Sequence, residues 1–273
     1  VYDSPSKGVL WGWEVPAYVW TKAIATGTFL MMAVWHFFNG GLESSSEMAG
    51  LITILVFMGL TGALLVKDID RPDRFLYVLL RPQWKSWLVR GAYIITVFGG
   101  LVSLKLLDNY YQLGHDWLWI PGTLFAGLGA VYTAFLFNQA RARDLWQTPI
   151  QSAIHMLVHA VMAGSVVMMI IAPESSQWMV NILFWGIVAN MIIIAKEILL
   201  PHDTPDTKKA IELMTKGYYS KYFWVGIVVG SLLPIAILNT VPDLSIIAGG
   251  LALVGIYLTE FVRIRVPQMI PLS

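Results

Sequence analysis

Residues 48–71 read MAGLITILVFMGLTGALLVKDIDR, a run of 19 uncharged residues that ends on Lys67, Asp68, Asp70 and Arg71. A helix needs roughly 20 apolar residues to cross about 30 Å of hydrocarbon. The stretch therefore predicts a transmembrane helix that ends at a charged membrane surface. The pattern recurs, and it predicts an all-α integral membrane protein of eight transmembrane helices. The expected spans are about 15–38, 49–66, 87–107, 117–137, 150–172, 178–200, 222–240 and 244–262.

The composition excludes several other classes of protein. Of the 273 residues, 57% are hydrophobic and only 13% are charged, whereas soluble domains carry about 25% charged residues. The apolar runs do not alternate with a period of two, which excludes a transmembrane barrel. A net charge of +1 indicates no bulk affinity for nucleic acid. Because the chain has no cysteine, it holds neither a disulfide nor an iron–sulfur cluster bound through thiolates.

Positive charge is distributed unevenly between the two sets of connecting segments. The loops on one side carry only Lys105, while Lys22, Arg90 and Lys196 fall inside spans. The other 14 of the 18 Lys and Arg residues lie on the opposite side, before span 1, after span 8, and at 67–86, 138–149 and 201–221. We call this side the basic face. The positive-inside rule predicts that both termini lie there, in the cytoplasm.

Span 1 resembles span 5 at an offset of 137 residues. The aligned segments are residues 23–32, AIATGTFLMM, and residues 160–169, AVMAGSVVMM. In this register Tyr18 falls on His155 and Lys22 falls on His159. Four spans per repeat is an even number, so the two halves would share one orientation. The repeat favours two four-helix bundles.

Ionisable side chains inside the spans are functional candidates, because charge in hydrocarbon is costly. They lie in the half of the membrane next to the basic face, which predicts a polar, water-accessible pocket that opens there. Two of them, Lys196 and Arg90, also fit a structural interpretation in which long side chains reach the lipid head groups. Glu197 and Glu260 are explained equally well by structural ion pairs. The candidates for proton transfer are Lys22, His155, His159, Glu197 and Glu260.

His155 and His159 are four residues apart and therefore share one helix face. A bis-histidine haem needs ligands on different helices at one depth, and His36 lies near the opposite membrane surface, roughly 20 Å away by the helical rise. Haem is therefore not expected. A metal site is not expected either, because no carboxylate occurs at a matching spacing. Polar packing, or proton transfer at a redox ligand, explains the pair better.

Four motifs occur in order along the first half of the chain. They are WGWEVPAY at 11–18 with Ala25-Thr26-Gly27, KDIDRPDRF at 67–75, Arg81-Pro82 with SW at 86–87 and GA at 91–92, and VYT at 131–133 with ARARDLW at 140–146. They resemble the opening helix, the loop after helix 2, the start of helix 3 and the end of helix 4 of one family. That family is the NrfD/PsrC family, the membrane subunits of polysulfide reductase-type complexes.

The resemblance implies two four-helix bundles, residues 1–145 with a quinone site and residues 146–273. It implies a multi-pass protein of the bacterial or archaeal cell (inner) membrane that reacts with menaquinone or ubiquinone and holds no haem or iron–sulfur cluster of its own. The implied partners are an iron–sulfur electron-transfer subunit and a molybdopterin-type catalytic subunit. The expected function is therefore electron transfer between the iron–sulfur partner and membrane quinone or quinol.

The resemblance also supplies site residues. Tyr132 matches the tyrosine that hydrogen-bonds a quinone carbonyl, and Tyr18 falls where some members have a histidine facing the same ring. An unperturbed phenol titrates near about pH 10, so Tyr18 would donate a hydrogen bond rather than act as a base. Glu14, Asp68 and Arg71 are expected on the same face as groups that exchange protons with the ring. For these three the argument is position, not a motif.

Three other functions fit parts of the sequence. A secondary transporter or channel would suit an internal repeat and intramembrane charge, but no span is broken by Gly-Pro at the midplane and the polar groups crowd one face. A haem b electron carrier is disfavoured by the depth of the histidines. A purely structural anchor would bind no quinone. Catalysis is expected of a complex that contains this chain and is not assigned to the chain alone.

Overall fold

The computed structural model describes residues 11–68, 75–140, 145–200 and 204–270. Within these ranges the regular structure is entirely helical, and eight helical segments are long and apolar enough to cross a membrane. The prediction of an eight-span, all-α membrane protein is therefore confirmed. Spans 1 to 8 are Glu14–Asn39, Ser44–Lys67, Trp87–Tyr111, Asp116–Asn138, Pro149–Ile171, Pro173–Leu199, Ser220–Thr240 and Pro242–Met269.

Two shorter helices lie on the basic face. Phe75–Leu80 follows span 2, and Pro205–Thr215 follows span 6. The second begins after Thr204, whose side-chain oxygen accepts a hydrogen bond from the backbone N–H of Thr207, an N-cap that satisfies one of the free amides of the first turn. This helix buries Ala210, Ile211 and Met214 against the protein.

Spans 1 and 5 are the most buried and form the centre of the molecule. Span 1 packs against spans 2, 4 and 5, and span 5 packs against spans 1, 4 and 6. Spans 1–4 close into one ring of neighbours and spans 5–8 into another, and the contact between spans 1 and 5 joins the rings. A boundary between residues 1–145 and 146–273 stays a prediction, since this shared contact is among the most extensive in the protein.

The contact between spans 1 and 5 depends on two glycines. A Cβ atom added at Gly27 would overlap the carbonyl oxygen of Ala160, and one added at Gly164 would overlap the carbonyl oxygen of Gly27. Small residues allow this close backbone approach, which membrane helices use in place of the hydrophobic effect. Gly27 and Gly164 are equivalent at the offset of 137 residues, so the repeat, if real, has its two-fold axis between them.

Span 7 is continuous but not uniformly α-helical. Residues Val228–Leu232 form a π-helical segment that is followed by Pro234. Proline has no N–H and its ring crowds the carbonyl four residues earlier, and a π turn relieves this conflict. The same region packs tightly on span 8, where a Cβ at Gly230 would overlap Gly255.

Span 8 is longer than the sequence indicated. It continues through Arg263 and Arg265 to Met269, whereas hydropathy ended it at residue 262. Arg263, counted above as part of a basic tail, is instead only 3% exposed. The helix continues because a carboxylate from span 6 pairs with this guanidinium, as described below.

Contacts between helix ends define the basic face. The Arg265 guanidinium donates to the carbonyl of Trp11 at 3.1 Å, and the Asn138 amide donates to the carbonyl of Trp146 at 2.9 Å. These contacts join the starts of spans 1 and 5 to the ends of spans 8 and 4. Which side of the membrane this face occupies stays a prediction.

Candidate functional site

A buried lysine joins spans 1 and 4 near the basic face. The Lys22 side chain is 1% exposed, and its ammonium group donates hydrogen bonds to the Ala130 carbonyl at 3.2 Å and to the hydroxyl of Thr133. The same nitrogen lies 4.3 Å from the centroid of the Tyr132 ring. A cation over an aromatic face is attracted by the ring quadrupole, more strongly when water is excluded. Span 4 therefore supplies every printed hydrogen-bond acceptor of this ammonium group.

Both predicted tyrosines belong to this cluster. Tyr18 lies one turn before Lys22 on span 1, and Tyr18 and Tyr132 are 2% and 3% exposed. Each phenol interacts with the side chain of Thr133, and Tyr18 also interacts electrostatically with Tyr132 and Asp68. We call Tyr18, Lys22, Tyr132 and Thr133 the tyrosine–lysine cluster. It contains three side chains that can donate hydrogen bonds to a carbonyl oxygen, together with the threonine hydroxyl that links them.

Span 3 makes room for the cluster. A Cβ atom at Gly91 would overlap the ring of Tyr132. Only glycine allows the aromatic ring to lie directly against the backbone of span 3, and this fixes the ring beside the lysine. Gly91 is part of one of the motifs noted above, but its role was not visible without the structure.

The remaining predicted quinone-site residues lie around this cluster or outside the described ranges. Glu14 is on the first turn of span 1, and its carboxylate is 3.3 Å from the ammonium group of Lys67. That ammonium group also lies 4.3 Å from the centroid of the Trp13 ring. Asp68 directly follows span 2 and is within electrostatic range of Tyr18. Arg71 lies outside the described residues.

A second polar cluster occupies the interior between spans 5, 6 and 8. The Nε2 atoms of His155 and His159 lie 2.7 Å and 3.0 Å from one oxygen, Oδ1 of Asn190. The Nδ1 atom of His159 lies 3.2 Å from a carboxylate oxygen of Glu260. Both histidines and the glutamate are buried, with Glu260 fully inaccessible to solvent. We call these four residues the histidine–glutamate cluster.

Two charged residues flank the histidine–glutamate cluster. The Arg263 guanidinium donates to the carboxylate of Glu197 at 2.7 Å and lies 5.1 Å from the centroid of the Trp146 ring. Glu197 is therefore held in an ion pair between spans 6 and 8, which favours the structural interpretation of this residue. Glu260 interacts electrostatically with both Arg263 and Lys22. The two clusters are thus neighbours across the centre of the protein.

A third buried group of charges lies at the opposite membrane surface. The ammonium group of Lys105 is 2.9 Å from Asp108 and 3.5 Å from Glu47, and the second oxygen of Asp108 lies 2.8 Å from Nδ1 of His115. The sequence analysis noted only Lys105 and His36 there. Asp108 and Glu47 were missed because they occur at span ends, where a carboxylate ordinarily meets water.

An apolar layer separates this outer group from the two inner clusters. Phe29, Met32 and Phe98 are fully buried there, and they belong to one packed group with Met162 and Met168. Phe29 is seven residues beyond Lys22 on span 1, about 10 Å along the helix. The described part of the chain therefore places its inner polar chemistry in the half of the membrane next to the basic face.

Comparison with known families decides the kinship of the chain. The family model described as polysulphide reductase, NrfD, matches residues 3–271. The chain belongs to the NrfD family. A search of curated proteins gives no match. Membership confirms the resemblance and indicates a membrane subunit of a redox complex that interacts with quinone.

The tyrosine–lysine cluster has the chemistry that a quinone requires of an NrfD-family chain. A quinone carbonyl accepts hydrogen bonds, and the phenols and the ammonium group are donors. Sequence reasoning found Tyr18 and Tyr132 through their motifs but placed Lys22 only among proton-transfer candidates. It missed Thr133, although this residue directly follows Tyr132 within a quoted motif. It also missed Asn190 and Arg263, since nothing in the sequence pairs them with residues on other helices.

Proposed function

We propose that this protein is the quinone-reactive membrane subunit of an oxidoreductase complex. The observation that carries the proposal is the buried contact of Lys22 with Tyr132 and Thr133, with Tyr18 beside it. Family membership adds that such chains interact with quinone. A buried lysine without a full ion pair is unusual in a membrane interior. Three donors that converge at one depth are well explained as a receptor for a carbonyl oxygen.

Reduction of a quinone consumes two electrons and two protons and yields a quinol. In the proposal, Tyr132 donates a hydrogen bond to one carbonyl oxygen, and Lys22 stabilises the negative charge that develops there as electrons arrive. Tyr18 donates to the same head group. Preorganised donors that face developing charge in a water-poor site are an effective form of electrostatic stabilisation. Since both tyrosines are almost inaccessible, the head group reaches them only when neighbouring side chains move.

Protons would reach the ring from the basic face. Glu14 and Asp68 lie at the ends of spans 1 and 2 on that face, near the tyrosine–lysine cluster. Carboxylates can take protons from water and pass them inward. Arg71 stays a candidate for the same route.

Electrons would come from a partner chain. This chain contains no cysteine, so an iron–sulfur electron-transfer subunit would dock over the basic face, and a molybdopterin-type subunit would carry the catalytic site. The basic face would lie in the cytoplasm, with the complex in a bacterial or archaeal cell membrane. The quinone would be menaquinone or ubiquinone.

The first experiment is purification of the tagged chain from its native membrane in mild detergent. Mass spectrometry should identify an iron–sulfur subunit and a pterin-containing subunit among the co-purifying proteins. A chain that comes away alone would instead support the transporter interpretation.

The second experiment replaces Tyr132 by Phe in the complex. Loss of one hydrogen bond to a developing charge should lower quinol-dependent turnover by about 10–100-fold while the subunits still co-purify. Tyr110→Phe is the matched control, because Tyr110 is exposed at the far end of span 3. Equal turnover of the two variants would remove Tyr132 from the site.

A further inference from the structure

The histidine–glutamate cluster combines two imidazole rings whose protonation is set by one shared acceptor. Oδ1 of Asn190 has no hydrogen to give, so the Nε2 atoms of His155 and His159 must both donate to it. A neutral imidazole that carries its proton on Nε2 has a lone pair on Nδ1. One amide oxygen therefore orients two rings so that both have Nδ1 available as an electron-pair donor.

These lone pairs have no hydrogen-bond partner within the described part of the chain. The Nδ1 atoms of His155 and His159 and both carboxylate oxygens of Glu260 are buried without one. Nδ1 of His159 and an oxygen of Glu260 face each other at 3.2 Å. Two electron-rich atoms at this distance repel each other unless a positive centre lies between them. Buried polar atoms in native proteins almost always have a partner, so the cluster requires a cation.

We propose that His155, His159 and Glu260 bind a divalent metal ion of the zinc class. One nitrogen or oxygen from each of the three residues lies within 4.8 Å of the others. A proton on one imidazole would satisfy only one ring, whereas a metal ion would satisfy both rings and the carboxylate. Two histidines and one glutamate are an established zinc ligand set, and a fourth position would stay open for water. The sequence lacked this carboxylate because span 8 supplies it, 101 residues after His159.

The surroundings of the cluster suit a metal ion. Ligand histidines typically donate their other N–H to an oxygen that fixes the ring, and Asn190 does this for both rings. Tetrahedral ligands at about 2.0–2.1 Å from zinc lie about 3.4 Å apart, so the three groups need to close by about 1.4 Å. Arg263 is already paired with Glu197 at 2.7 Å. The ammonium group of Lys22, which also interacts with Glu260, is the charge with which the ion would compete.

The test measures metal directly on the purified full chain. The protein carries an affinity tag that contains no histidine, and its zinc content is measured by mass spectrometry of the elements. The ion is then removed with a chelator, and Co²⁺ is added while the visible absorption of tetrahedral Co²⁺ is followed. We expect about one zinc ion per chain, and one Co²⁺ ion with the tetrahedral spectrum.

Variants assign the site. Glu260→Gln and His159→Gln should lose the Co²⁺ spectrum, and Asn190→Ala should weaken binding by about 10–100-fold. His115→Gln is the matched control, since that histidine belongs to the outer group of charges and should not affect the spectrum. The proposal is overturned if the wild-type protein gives no such spectrum, or if Glu260→Gln binds Co²⁺ as the wild type does. The wild-type titration decides the matter even if a variant fails to fold.

This outcome is independent of the proposed quinone reaction. Metal content and the Co²⁺ spectrum are measured without quinone or partner subunits. The Tyr132→Phe variant should keep its metal whatever happens to its turnover. If no metal binds, the positive centre is a proton, and the assignment of His155, His159 and Glu260 to proton transfer becomes the better explanation of the cluster.

Discussion

Gly27→Ala should disrupt the central contact between spans 1 and 5. The added Cβ atom would overlap the carbonyl oxygen of Ala160 and would lie 2.6 Å from its carbonyl carbon and 2.9 Å from the amide nitrogen of Gly164. Ordinary contacts begin at 3.4 Å, so the two backbones must separate by about 1 Å. Backbone atoms of a helix cannot rotate away as a flexible side chain can. The whole interface must therefore open.

The magnitude follows from the loss of van der Waals contact. A gap of about 0.5–1 Å removes a quarter to a half of the attraction of each atom pair, and a large buried side chain makes tens of such contacts. Over an interface that holds several such side chains, the free energy of unfolding should fall by about 3–5 kcal/mol. Span 1 carries Tyr18 and Lys22 and span 5 carries His155 and His159, so both clusters should lose their geometry as well.

The assay is unfolding of the detergent-solubilised protein with increasing dodecyl sulfate, followed by tryptophan fluorescence. Gly59→Ala is the matched control, because a Cβ atom at Gly59 meets nothing within 4 Å. In a helix this replacement should be neutral or stabilise by up to about 1 kcal/mol. If Gly27→Ala unfolds at the same detergent fraction as Gly59→Ala, the close approach of the two backbones does not limit stability and the reasoning is wrong.

Three further outcomes are expected. Lys22→Met should lower quinol-dependent turnover of the complex by about 10–100-fold through loss of a charge-assisted hydrogen bond, while Lys196→Met, at an exposed position, should leave turnover within twofold of wild type. Arg263→Met should destabilise the protein by about 3–5 kcal/mol because it leaves the carboxylate of Glu197 buried without its partner, and adding Glu197→Gln should restore part of that loss. In proteoliposomes, quinol turnover should build no membrane potential, since the proposed electron and proton routes both use the basic face; a potential-sensitive dye that responds during turnover would contradict this.

The number and type of the spans could be predicted because hydrocarbon imposes a strict requirement on sequence. Each span must satisfy its backbone hydrogen bonds internally and present apolar side chains to lipid. These demands are local, and hydropathy detects them. The end of span 8 was wrong for the same reason. Arg263 looks like a residue of a basic tail until Glu197, on another helix, provides its charge partner.

The candidate site was predictable only where a motif or a helical spacing marks it. Tyr132 and Tyr18 came from motifs, and His155 and His159 came from their separation of four residues. The contact of Lys22 with Thr133 depends on which faces of spans 1 and 4 meet, and no periodicity encodes this. The same holds for Glu260, which reaches His159 only because span 8 packs against span 5.

The two inner clusters use corresponding positions of spans 1 and 5 for different chemistry. At the offset of 137 residues, Tyr18 corresponds to His155 and Lys22 to His159, and each pair points into its own ring of four helices. In the first ring span 4 answers with a carbonyl and a hydroxyl, so the ammonium group stays available as a donor. In the second ring span 8 answers with a carboxylate, so the imidazoles face an acceptor and the site gathers electron pairs. A donor-rich site suits a quinone carbonyl, whereas a site rich in lone pairs suits a cation. One pair of residue types, exchanged within a common scaffold, is sufficient to separate the two roles.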